Sequence, residues 1–154
     1  MTSLWRISEF RDLTGEGARS ASARWHTRGR PVVYLAETPA GAMLERIVHL
    51  LDRDEGGILP RTYQLLRISV PDEAAIKPLS TLARVDWMEH PESTRPIGDA
   101  WLASMETPLA RVPSVIVPYA WNYLLNPMHP ASRHVEIADA IVEHFDNRLF
   151  GVGQ

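Results

Sequence analysis

Apolar and polar positions change period several times along the chain, and each change marks an expected element. Leu4-Trp5-Arg6-Ile7 reads as a short first strand. Residues 12–30 carry no sustained period and are rich in Gly, Ser and Thr, the composition of a functional loop. From Pro31 to Ala36 the chain turns β-branched and aromatic, which predicts a strand. The period then becomes helical over 39–52. Ala40, Met43, Leu44, Ile47, Val48 and Leu51 fall on one stripe, with Thr38 suited to the cap and Pro39 to the first turn. At about 100° per residue, Glu45 falls roughly 60° outside the Val48 edge of that stripe, so its carboxylate borders the core and can look into a cleft. His49 points further toward solvent.

Asp54-Glu55-Gly56-Gly57 reads as a turn, and Tyr63 to Val70 as a strand closed by Pro71-Asp72. Residues 71–93 are mixed. Ile97, Trp101, Leu102 and Met105 predict a helix from Thr94 to Met105, capped by Ser93 or Thr94. Val112 to Pro118 reads as a strand bracketed by prolines, which belongs near an edge or a bulge. Ile137, Ile141, Val142 and Phe145 suggest a last helix, and Arg148-Leu149-Phe150 a terminal strand. Strands and helices are interspersed without regular alternation. That argues for an α+β fold over a doubly wound sheet.

Composition narrows the class. The 154 residues suit one domain, 1–154, large enough to bury a core without staples. No cysteine is present, so disulfides, thiolate nucleophiles and cysteine-ligated metals are excluded. No stretch approaches the roughly 18 apolar residues of a membrane span, and no signal peptide is visible, so a soluble cytoplasmic protein is expected. A net charge of −3 offers no general attraction to nucleic acid. Of the 16 basic residues only Lys77 is not Arg. A GC-rich genome is the ordinary reading of such a bias, yet Arg also grips phosphate in a planar, bidentate way that Lys cannot. Arg19, Arg24, Arg28 and Arg30 cluster within twelve residues beside His26, without helical periodicity, which favours an anionic small molecule over DNA.

Arg24, Tyr34 and Glu45 follow one another at spacings of 10 and 11 residues, each at the edge of an expected element. They are the residue types needed to hold a diphosphate, stack on a cationic aromatic ring and stabilise positive charge on a ribose. Each also has an ordinary alternative: a solvated arginine, a packing tyrosine, a surface carboxylate. Ser114 can donate a hydrogen bond to a substrate or be a routine strand serine, and Trp25 can be core or ligand platform. The six histidines show no HExxH or comparable spacing, so no metal is expected. Gly15-Glu16-Gly17 lacks the third glycine and the strand–helix setting of a dinucleotide fingerprint, and there is no Walker loop or nucleophile elbow. NAD, if bound, is bound outside a Rossmann fold and as a substrate to be broken.

The runs Gly15 to Arg19, Ser22 to Glu37, Leu44-Glu45, Val48 to Leu50, Val112 to Pro118, Asn122 to Pro127 and Phe145 to Leu149 resemble the RES domain. The likeness extends from Trp5 to Leu149. It implies an ADP-ribosyltransferase-like (diphtheria-toxin-like) fold with a central mixed or antiparallel sheet and flanking helices. It also implies a bacterial toxin of a type II toxin–antitoxin pair that consumes NAD. The family's arginine, glutamate and serine match Arg24, Glu45 and Ser114, and its accompanying tyrosine matches Tyr34. Arg6, Trp25, Arg28 and Asn126 are further candidates for lining the NAD pocket. The implied partner is an antitoxin with a helix-turn-helix (Xre-like) DNA-binding region, and a homodimer within that complex is permitted. The acceptor of the ADP-ribose (water, phosphate or a host protein) stays open. The family commonly has Gly before the Arg-Trp pair, where this chain has Ala23, and a methyl there restricts φ. The competing expectation is a non-catalytic protein that binds a nucleotide or only its antitoxin.

Overall fold

The computed structural model describes residues 1–52, 58–80 and 86–151, which leaves the turn expected at Asp54-Glu55-Gly56-Gly57 outside the described residues. Among the described residues, seven strands and two α-helices occur in the order β1 (Thr2–Ile7), β2 (Val33–Ala36), α1 (Pro39–Leu51), β3 (Thr62–Val70), β4 (Ile76–Pro78), α2 (Pro91–Ser104), β5 (Leu109–Pro113), β6 (Trp121–Leu125) and β7 (Glu136–His144). Short 3-10 turns lie at Glu16–Arg19, Trp87–Glu89, Pro130–His134 and Asn147–Phe150. The strands form one sheet in the order β4-β5-β6-β2-β1-β3-β7. Only β4 and β5 pair in parallel, so the sheet is mixed and the fold is α+β.

Strand alternation divides the apolar residues between two faces. On one, Leu4, Val33, Leu35, Leu66, Ile68, Val70, Leu109 and Leu125 form a continuous buried cluster. On the other, Ala110, Val112 and Leu124 pack with Trp101 and Leu102 of α2 and with Trp25 and Val32 of the preceding loop. Tyr34 belongs to this second face, because its register partner is Leu124. So does Asn122, paired with both Ala36 and Val112. Helix α1 sits over the same face, where Gly41 lies against Ala36. The two helices therefore flank one sheet surface, and polar residues on β2 and β6 open between them.

Helix α1 begins as its sequence directs: Thr38 Oγ1 accepts from Gly41 N at 2.9 Å, and Pro39 fills the first turn. The face it buries differs from the expected stripe. Ala42 and Leu50 are buried and Glu45 is half-buried, whereas Ala40, Leu44 and Leu51 are exposed. Helix α2 starts three residues earlier than expected, at Pro91, with His90 in the cap position.

Three expected elements are corrected. The last helix is strand β7, paired with β3 through a bulge between the Arg67–Asp139 and Ile68–Ile137 pairs. The bulge puts Ile137 and Ala140 against the same core cluster, whereas Ile141 and Val142, which suggest the helix, are exposed. The terminal strand is the turn Asn147–Phe150, which lays Phe150 edge-on to Phe145 at 5.2 Å. The strand expected from Val112 to Pro118 ends at Pro113. Beyond it, Ser114 Oγ accepts from the backbone nitrogens of Ile116 and Val117, and the chain reverses through Tyr119 at φ 65° into β6.

Candidate functional site

The loop before β2 is built by helix α2. Gly98 of α2 is so close to this loop that a Cβ there would stand 1.7 Å from the Trp25 carbonyl oxygen. That approach lets the Thr94 hydroxyl donate to the Arg24 carbonyl, and Arg95 Nε donate to the Ala23 carbonyl at 2.8 Å. Asp99 accepts from the backbone nitrogen and the hydroxyl of Thr27, at 2.8 and 2.7 Å. Four consecutive helix-face positions (94, 95, 98, 99) thus hold residues 23–27. Ala23 does not adopt a left-handed φ; among the described non-glycine residues only Met105 and Tyr119 do. Its methyl therefore imposes no backbone strain on this loop.

The other side of the loop is tied to β2. Tyr34 Oη accepts from Trp25 N at 3.2 Å and lies 2.8 Å from His26 Nδ1. The buried His26 ring meets the carbonyls of Ala18 and Ala21 through Nε2, at 3.0 and 2.9 Å. Two carbonyls can be met only by an N–H, so Nε2 carries the proton and Nδ1 accepts from the Tyr34 hydroxyl. Burial pushes the Tyr34 pKa up, opposed by its bond from Trp25 and by the nearby Arg95 and Arg24. The phenol is thus a neutral clamp, both of whose hydrogen-bonding roles are used.

Arg24 emerges half-buried from this clamp. Its Nη1 donates to the carbonyls of Met88 and Trp87, at 2.7 and 3.3 Å. Burial and the neighbouring Arg95 guanidinium lower its pKa, while Glu45, Tyr34 and Glu92 pull it back. Arg24 is therefore within electrostatic reach of both Tyr34 and Glu45, ten and 21 residues away in sequence. Glu45 is fixed from β6: its Oε1 accepts from Asn122 Nδ2 at 2.8 Å. Ser114 follows directly on β5, beyond the Val112–Asn122 pair, and its backbone nitrogen donates to Ala120 O at 2.9 Å. Because its Oγ already accepts two backbone N–H groups, the hydroxyl proton remains to be donated outward.

The remaining candidates go elsewhere. Trp25 is buried core, its ring 6.2 Å from that of Trp87. Arg6 pairs with Leu66 on the opposite face of the sheet and donates to Asp12 O at 3.2 Å. Arg28 is exposed at the loop surface. Asn126 is buried and spends its amide on Leu102 O and Met128 N, at 3.2 and 3.1 Å, where it latches the end of α2 to β6. Two surface cavities, of about 410 Å³ beside His129 and Arg133 and about 270 Å³ beside Arg30 and Asn126, do not include Arg24, Glu45 or Ser114 in their walls. Asn122, Arg95 and the His26 clamp escaped the sequence reading. The one local signal for Asn122 is an amide placed in an otherwise apolar strand. No helix among the described residues is long and apolar enough to cross a membrane.

A family model described as the RES domain matches residues 3–146. The chain is 45% identical over 150 residues to a Pseudomonas putida protein named Toxin Res, covering 96% of this chain and 99% of that protein. It is 40% identical over 159 residues to the Prs ADP-ribosylating toxin of a Sphingobium species, covering 96% of each. In fold it is similar to a chain of the M. tuberculosis MbcT–MbcA toxin–antitoxin complex, with a TM-score of 0.70 at 20% identity over 93% of this chain and 84% of that one.

Proposed function

The chain belongs to the RES domain family, and on that premise we propose that it is the toxin of a toxin–antitoxin pair and cleaves the nicotinamide–ribose bond of NAD. What supports this reading is that Tyr34 and Asn122, the partner of Glu45, share one sheet face, with Arg24 on the loop clamped to Tyr34. A guanidinium there suits the diphosphate, and a rigid aromatic face suits the cationic nicotinamide. A carboxylate held by Asn122 suits the charge that develops on the ribose as the bond breaks. In this mechanism the C–N bond gives its electron pair to nicotinamide. Glu45 stabilises the ribosyl cation, Ser114 donates its hydroxyl proton as a hydrogen bond to the ribose or the amide, and an acceptor oxygen adds to C1′ with loss of a proton. The name of the Sphingobium relative supports transfer of ADP-ribose to a protein, and water and phosphate are the other acceptors.

In this reading residues 1–154 form a single RES domain with an ADP-ribosyltransferase-like fold. The partner is a cognate antitoxin, of which the MbcT–MbcA complex is the structural parallel. A helix-turn-helix (Xre-like) region on that antitoxin would supply the DNA contact that this acidic chain does not. Purified, antitoxin-free protein incubated with adenine-labelled NAD and cell extract tests the proposal. Free nicotinamide together with labelled ADP-ribose, its phosphorylated form or a labelled protein band is expected. Intact NAD, or growth inhibition unchanged by both Arg24→Ala and Glu45→Ala, overturns it.

A further inference from the structure

We propose that Arg95 is a second substrate-binding residue, forming with Arg24 a two-guanidinium cradle for the diphosphate of the dinucleotide; this rests on the NAD reading above. Arg95 lies half-buried on α2, in the row that holds the Arg24 loop, and its Nε donates to the carbonyl of Ala23, the residue before Arg24. That bond uses one of five guanidinium N–H groups. Among the described residues neither Arg24 nor Arg95 forms an ion pair with a carboxylate. The nearby acids are engaged with other groups: Glu45 with Asn122, Asp99 with Thr27, Glu92 with His90.

Two like charges held side by side repel, and the repulsion registers in the depressed pKa of Arg24, where Arg95 is the strongest charge effect after burial. Arg95 and Tyr34 hold the chain on either side of Arg24, through the Ala23 carbonyl and the Trp25 nitrogen. A tether to a single carbonyl does not require a guanidinium. A fork with its remaining N–H groups unspent, beside a second fork that meets only neutral carbonyls, suits a ligand with two adjacent phosphate groups. Such a ligand offsets the repulsion between the two guanidiniums. It also fixes the diphosphate at two points, so the nicotinamide ribose is aligned toward Glu45.

The test uses the whole wild-type chain, so it does not depend on a variant that folds. The protein is treated with phenylglyoxal with and without ADP-ribose, and modification of each arginine is read by mass spectrometry. ADP-ribose is expected to slow modification of Arg24 and Arg95 at least fivefold and to leave the exposed Arg11 and Arg133 unchanged. Inorganic phosphate at the same concentration is expected to protect neither. In parallel, Arg95→Gln is expected to weaken ADP-ribose binding at least tenfold, with Arg95→Lys intermediate and nicotinamide inhibition unaltered. An Arg95 labelled equally with and without ADP-ribose, equal protection by phosphate alone, or an Arg95→Gln affinity within twofold of wild type overturns the proposal. Wild-type protein that shows the footprint yet leaves NAD intact overturns the cleavage reading and not this one. NAD cleavage with an unprotected Arg95 does the reverse.

Discussion

The hydroxyl of Tyr34 lies 2.8 Å from Nδ1 of His26 and 3.2 Å from the backbone nitrogen of Trp25, so one side chain of β2 meets both residues that follow Arg24. The bond to His26 is itself anchored, since Nε2 on the far side of the ring faces the carbonyls of Ala18 and Ala21. Tyr34→Phe keeps the ring and deletes the clamp. It leaves a buried N–H and a buried imidazole nitrogen without partners, each costing about 1–3 kcal/mol. The variant is expected to melt at lower temperature and to lose at least tenfold in NAD cleavage through a misplaced Arg24. A variant with wild-type melting and wild-type kcat/KM would show that the hydroxyl does not position the loop.

The same clamp gives stability a signature at high pH. Burial raises the folded-state pKa of Tyr34 above the ordinary value of 10.0. The unfolded chain therefore releases this proton first as pH rises, while the folded chain retains it. The contribution is complete below pH 10 and is lost above it, by up to about 1.4 kcal/mol per pH unit for this one group. Urea midpoints between pH 8 and pH 11 measure the loss, and Tyr34→Phe should flatten the decline. Spectroscopic titration should show Tyr34 resisting ionisation until the chain unfolds.

At Gly98 of α2 any side chain collides with the site loop. In most helices Gly→Ala stabilises, because glycine in a helix interior is worse than alanine by about 0.5–1 kcal/mol. Here the added methyl would stand 1.7 Å from the Trp25 carbonyl oxygen and 2.7 Å from its carbon, both backbone atoms. Gly98→Ala is expected to destabilise by about 3 kcal/mol or more, or to push the loop off α2 and abolish activity. Gly17→Ala, with nothing within 4 Å of the new methyl, is the control and should stay within about 0.5 kcal/mol of wild type. Denaturant unfolding of both variants decides it.

What the sequence revealed follows from how local each signal is. The start of α1 was legible because Thr38 and Pro39 act within one turn, and β3 because Leu66, Ile68 and Val70 alternate with Arg67 and Ser69. Strand β7 was misread because two of the four residues that suggest a helix, Ile141 and Val142, are exposed, and Phe145 lies beyond the strand. The orientation of α1 was misread because Leu44 and Leu51 face outward while the smaller Ala42 packs inward, against the hydrophobic ranking. At the site, Arg24, Tyr34, Glu45 and Ser114 were singled out by residue type and by family resemblance. Their supports were not, since Thr94, Arg95 and Asp99 reach the loop from about 70 residues away through single hydrogen bonds that leave no periodic trace.

The hydrogen bond from Asn122 Nδ2 to Glu45 Oε1, at 2.8 Å, joins α1 to β6 and separates charge from placement at this position. Glu45→Gln keeps nearly the same shape and can still accept from Asn122 through its amide oxygen, so folding should be unchanged. If the carboxylate stabilises the ribosyl cation, kcat for NAD cleavage should fall by about 10²–10³ while KM moves little, because the charge matters only as the bond breaks. Asn122→Ala makes the complementary change. The carboxylate keeps its charge but loses the donor that aims it, so a smaller loss of kcat, on the order of tenfold, is expected. Asn122→Asp replaces the donor by a second carboxylate that repels Glu45, so a larger loss of kcat than in Asn122→Ala is expected. Equal kcat for wild type and Glu45→Gln would remove the carboxylate from the reaction, whatever the variants at position 122 do.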